Sequence, residues 1–261
     1  MKIGVALSGG GARGVAHLGV IKALHELGYE IEAYSGTSAG AIASVFLAAG
    51  LTPDQVLKKL ISLNFYSILR PNLASPGILG NSTLQKIFEQ HLPVKTFEEL
   101  KVPVTICAAD IIKVKRVYFQ KGELLRPLMA SSAIPVMFQA VEYQGWTLVD
   151  GGLLNNLPIE PLVGSSCYIL AVHCNKVAIN AKLRTTRSYF ERSMQILLQE
   201  NVRDSIVFAD FLIEPEELGL YSITQFSKAS EIFELGYSYT HKIADKLLRK
   251  LPLQKSADSK K

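Results

Sequence analysis

Cysteine is scarce in this chain. The three present, Cys107, Cys167 and Cys174, do not make a disulfide framework. No CxxC pair or His/Cys cluster accompanies them, so neither a metal nor another cofactor is called for. Cys107 and Cys167 lie in apolar, strand-like runs, where a thiol serves as a small buried hydrophobe. A reducing, cytoplasmic setting is expected. Long hydrophobic runs are missing too. The longest weakly polar stretch, Ala39 to Leu51, falls short of the ~20 residues a membrane-spanning helix needs. The opening MKIGVALSGG carries too short an apolar run for a secretion signal. No Pro/Gly/Ser-rich linker divides the chain, so residues 1–261 are expected to form a single domain. The net charge of +5 is not spread evenly. Residues 241–261 hold seven Lys/Arg against Asp245 and Asp258, which accounts for the whole excess. A neutral body excludes a nucleic-acid-binding domain as the expected class. The basic end, 252–261 above all, reads as a solvated, frayed tail, with peripheral contact to an anionic membrane surface as the alternative.

What is present is an alternation of apolar runs and helical spacing. Lys2–Leu7 reads as a buried strand, followed by a glycine-rich turn and a helix from Arg13 to Leu27 closed by Gly28. Further strands are expected near 31–34, 102–109, 114–120, 146–149, 168–173 and 211–213. Helices are expected near 39–50, after Thr52-Pro53 as N-cap and first position, from Ser82 to His91, and at 124–132, 188–208 and 230–251. Residues 65–80 lack periodicity and could form a lid or a docking loop. Strands alternating with helices, several of them apolar throughout, predict a three-layer α/β/α fold around a mostly parallel sheet. Chemistry in such sheets gathers at the carboxyl ends of strands.

Three glycine-rich segments fall at such ends. Gly36-Thr37-Ser38-Ala39-Gly40 has the G-x-S-x-G form between a strand and a helix. That turn crowds the positions two before and two after the serine, and lifts its hydroxyl to a helix N-terminus, where developing negative charge is favoured. Gly9-Gly10-Gly11-Ala12-Arg13-Gly14 fits G-x-G-x-x-G. It can converge backbone N–H groups on a dinucleotide pyrophosphate or on the oxyanion of an acyl-transfer intermediate. The dinucleotide reading wants an acid at the end of the second strand. Here that strand runs straight into the serine turn, and Glu30 and Glu32 lie at its start, so the oxyanion reading is preferred. Asp150-Gly151-Gly152 ends a third strand; alone it would be an ordinary turn.

In combination, GGGARG, GTSAG and DGG, with the stretch Ala130–Pro135 before the aspartate, resemble the bacterial patatin-like phospholipase family over residues 3–175. The resemblance implies a patatin-like fold and a lipid or acyl-ester substrate. It also implies a Ser38–Asp150 dyad working through an acyl-enzyme, with an oxyanion hole from Gly9, Gly10, Gly11 and Ala12. Arg13, Gly14, Gly36, Gly40, Gly151 and Gly152 would support the motifs. Ser8 departs from the aspartate found there in many members, which should alter loop packing more than chemistry. Two alternatives stay open: an α/β-hydrolase triad of Ser38, Asp150 and His173, which occur in that chain order, and a non-catalytic ligand-binding module using the glycine loop. Against the triad, only two strands precede Ser38.

Overall fold

A computed structural model describes residues 1–62, 81–135, 137–164, 168–177 and 185–253. The 65–80 segment considered above as a lid or docking loop and the tail from 254 on lie outside the described residues, as does Cys167. Among the described residues, eight strands form one sheet: β1 Lys2–Leu7, β2 Glu30–Thr37, β3 Val104–Asp110, β4 Lys115–Phe119, β5 Val141–Tyr143, β6 Trp146–Asp150, β7 Tyr168–Val172 and β8 Phe211–Ile213. They run in the order β5-β6-β3-β2-β1-β7-β8, with β4 on β3. Five consecutive strands, β3-β2-β1-β7-β8, are parallel. The antiparallel strands are β4, β5 and β6.

Side-chain alternation gives the sheet two unequal cores. Val5, Leu7, Leu170 and Val172 join the larger cluster, while Ala6, Ile169 and Ala171 between them join a smaller one. Helices α1 Ala16–Glu26, α2 Ala39–Ala48 and α3 Pro53–Ser62 contribute to the large core, with the helices 81–91, 125–131 and 229–242. The small core is closed by Leu157, Ile159 and Leu162 and by Val202 with Ile206. The three layers are therefore present, one of them thin.

Local signals explain most of the elements. Thr52 N–H donates to Gln55 Oε1 and Gln55 N–H to Thr52 Oγ1, a reciprocal cap that starts α3. The helix from Asn81 runs to His91, so Ser82 lies in its first turn. Two expectations need correction, and one strand is added. The long helix at 188–208 is two, Thr186–Glu200 and Arg203–Ile206. At the break, the Asn201 side chain accepts from Asn156 N–H and donates to Gly152 O. The closing helix breaks at Ile243 into 229–242 and 244–250. Strand β5 went unread: Gln144 and Gly145 both have positive φ, 50° and 76°, and make a tight hairpin between β5 and β6.

The sheet has one irregularity that positions the site. On β3, residues 104–107 pair with β2 and residues 108–110 pair with β6, along the same edge, since β4 holds the opposite one. Cys107 faces Thr37 and Ala108 faces Asp150. Two strands arriving from opposite directions thus meet end to end, bringing Asp150 beside the serine turn.

Candidate active site

Ser38 stands between β2 and α2 with φ 53° and ψ −121°, a conformation few non-glycine residues adopt. Its backbone is held in place by neighbours. Ser38 N–H donates to Ser131 Oγ at 2.8 Å, and the Ser131 hydroxyl donates onward to Cys107 O at 2.7 Å. Gly36 and Gly40 are close-approach positions: a Cβ on Gly36 would strike the backbone of Gly40, and one on Gly40 the backbone of Leu7 and Ser8. The turn is thereby pressed against the end of β1, where the glycine loop begins.

That loop is built from backbone. Gly9 N–H donates to Asn156 O at 3.0 Å and Ala12 N–H to Ile223 O at 2.8 Å. Of the four residues expected to line an oxyanion hole, these two therefore have their N–H groups occupied. Among the described residues, the N–H groups of Gly10 and Gly11 find no protein acceptor. The loop also lies close to Ser38: a Cβ on Gly9 would fall 3.2 Å from Ser38 Cβ. Arg13 is buried and donates from Nε to Tyr221 O at 2.7 Å, while Gly14 lies against Ala39. Beneath the loop, buried His17 donates from Nε2 to Ser8 O at 2.8 Å, and burial lowers its pKa to about 4. Ser8 is hydrogen-bonded to the segment after β7. Its hydroxyl accepts from Cys174 N–H at 3.1 Å, and Asn175 Nδ2 donates to Gly9 O.

Asp150 is the other half of the arrangement. Its own N–H donates to Ala133 O, and its Oδ1 accepts from Gly152 N–H at 2.8 Å. Both Ser38 and Asp150 are only 7% exposed. Burial raises the Asp150 pKa to about 6, against hydrogen bonds from the Ser38 side chain and Gly152 N–H that pull it down. Gly151 packs on Cys107 O and Thr37, and Gly152 on the Asn156 and Asp150 side chains.

His173 is placed elsewhere. Its Nδ1 bonds Glu214 Oε1 at 2.6 Å, so its carboxylate partner is Glu214 and not Asp150. Sequence reading missed the roles of Ser131, Asn156 and Asn201, whose hydrogen bonds to Ser38, Asn201 and Gly152 span 93, 45 and 49 residues. Of the three, Ser131 alone left a trace, as part of the run Ala130–Pro135. Next to Ser38 lies an apolar pocket whose walls include Leu18, Ile42, Leu60, Met137, Phe138 and Ile223. Among the described residues, no group of three or more His, Cys, Asp or Glu could hold a metal ion. None of their helices is long and apolar enough to cross a membrane.

Comparison with known proteins adds three findings. The family described as patatin-like phospholipase matches residues 5–163. An uncharacterised NTE family protein of Mycobacterium bovis is 36% identical over 177 residues, covering 67% of this chain and 49% of its own. A lysophospholipase of Aspergillus niger is 26% identical over 99% of this chain, though only 19% of its own length is covered. The chain thus spans about half or less of the curated relatives it matches. In three dimensions it resembles VipD from Legionella pneumophila, with a TM-score of 0.60 at 15% identity, over 94% of this chain and 66% of that one. That likeness is one of fold.

Proposed function

The chain belongs to the patatin-like phospholipase family, and from that premise we propose that it hydrolyses fatty-acyl esters of lipids, with Ser38 as nucleophile and Asp150 as general base. The observation that carries the reading is the pairing of a strained, buried serine with a carboxyl whose pKa is raised to about 6. A base poised near neutrality accepts a proton far better than an ordinary aspartate, yet is mostly ionised at pH 7.

Asp150 takes the Ser38 proton as Oγ attacks the ester carbonyl. Charge developing on the carbonyl oxygen meets the N–H groups of Gly10 and Gly11, which are preorganised and need no rearrangement. Collapse expels the alcohol, which takes its proton from Asp150, and leaves an acyl-enzyme on Ser38. Water, deprotonated by the same carboxylate, then releases the fatty acid. The apolar pocket beside Ser38 suits an acyl chain. The triad reading is not favoured, since His173 is bonded to Glu214 and Asp150 to Gly152.

A fluorophosphonate probe tests the assignment. Intact-mass analysis should show one adduct, mapped to Ser38, and Ser38→Ala should lose both adduct and esterase activity by several powers of ten. A Ser38→Ala protein keeping more than about a tenth of wild-type kcat would exclude Ser38 as nucleophile.

A further inference from the structure

The β3–β4 connection carries an unusual surface. Residues 111–116 read Ile-Ile-Lys-Val-Lys-Arg, and all six are exposed. Ile112 is 72% exposed and Val114 70%. The tip is stiff. Ile112 N–H and Lys113 N–H donate to Asp110 Oδ1 at 2.9 and 2.5 Å, and Thr147 N–H donates to Asp110 Oδ2 at 3.2 Å. Lys113 Nζ donates to Gly145 O at 3.0 Å and sits 4.1 Å from the centre of the Trp146 ring. Two neighbouring hairpins are thus tied into one projecting edge.

Val114 has φ 52°. A β-branched residue is badly suited to the left-handed region, which a turn normally gives to Gly or Asn. With its side chain mostly in solvent, Val114 recovers little of that strain by packing. A stiff turn that keeps valine where glycine would be easier, beside a second exposed aliphatic, implies a partner outside the protein. The position adds to this. Because β3 is parallel to β2, the tip projects from the same sheet edge that carries Ser38. Its base at Asp110 pairs with Leu148, two residues before Asp150.

We propose that Ile112 and Val114 form a wedge that docks on an anionic lipid surface, with Lys115 toward the headgroups and Lys113 held over Trp146 at the base of the wedge. Aliphatic side chains gain by leaving water for the acyl region, while lysines keep their charge at the interface and are drawn to anionic lipid. This rests on the reading that the substrate is a membrane lipid, but its test is binding, independent of turnover. In a Ser38→Ala background, the protein should sediment with phosphatidylcholine vesicles containing phosphatidylglycerol, and less with phosphatidylcholine alone. Ile112→Ser with Val114→Asn should weaken that partitioning by about tenfold per side chain, and Lys115→Gln should lower it on anionic vesicles only. Val114→Asn alone should raise Tm, since it relieves strain, while still weakening binding. With Ser38 restored, the tip variants should turn over a soluble short-chain ester at the parent rate. Equal sedimentation of parent and double variant, or no sedimentation of the parent, overturns the proposal. If the Ser38→Ala protein binds vesicles but the protein with Ser38 restored hydrolyses no ester, docking stands and the hydrolase reading fails.

Discussion

At the scale of single residues, the pKa of Asp150 links catalysis to stability. Ionised Asp150 is disfavoured by burial, so the folded protein holds that proton more tightly than the unfolded chain does. The sign follows: the group's contribution to stability is fully present below the ordinary carboxylate pKa of about 4 and is lost as pH rises through about 6. Two pKa units correspond to about 3 kcal/mol, an upper figure. Asp150→Asn, neutral at every pH, should therefore melt no lower than wild type at pH 8, with its relative advantage shrinking toward pH 5. The same change removes the proposed base, so probe labelling of Ser38 should become very slow. Wild-type esterase activity should rise with pH around a midpoint near 6. Normal labelling of the Asn variant would contradict the dyad, whatever its melting temperature.

Elements decide how close these residues come. A doubly wound sheet delivers loops to one edge, but Asp150 arrives on an antiparallel strand, β6, whose end abuts the end of β2 along β3. The 3₁₀ turn at Gly11–Val15 aims the glycine loop before α1 begins. Gly11 has φ 55°, and a Cβ there would collide with Ile223 O, the acceptor of Ala12 N–H. Gly11→Val should therefore displace the loop and cost ~10²–10³ in kcat, the usual loss for a missing oxyanion donor, with the far-ultraviolet circular dichroism unchanged. Unaltered turnover in that variant would assign the loop another task.

For the whole molecule, the apolar pocket beside Ser38 is the feature that no single segment makes. Leu18 comes from α1, Ile42 from α2, Leu60 from α3, Met137 and Phe138 from the stretch before β5, and Ile223 from beyond β8. Filling it should change selectivity more than chemistry. Ile42→Trp should lower kcat/KM for long-chain p-nitrophenyl esters by about tenfold or more, one misfitted apolar contact being worth 1–3 kcal/mol. Turnover of the butyrate ester should stay near the wild-type rate. An equal loss on every chain length would mean that the pocket does not hold the acyl group.

The sequence by itself determined those things that local chemistry dictates. Glycines at 36 and 40 made the serine turn readable, Thr52 and Pro53 opened a helix, and uninterrupted apolar runs such as Val5–Leu7 and Ile169–Val172 announced parallel strands. Tertiary structure decided whatever rests on pairs remote in sequence. It occupied the N–H groups of Gly9 and Ala12 through Asn156 and Ile223, and so left Gly10 and Gly11 as donors. It broke the helix at Asn201 to satisfy the backbone of Gly152 and Asn156. It also gave Ser38 its support from Ser131 and directed His173 to Glu214. Most backbone donors buried by folding find an acceptor, and which acceptor each finds depends on which segments the sheet brings together.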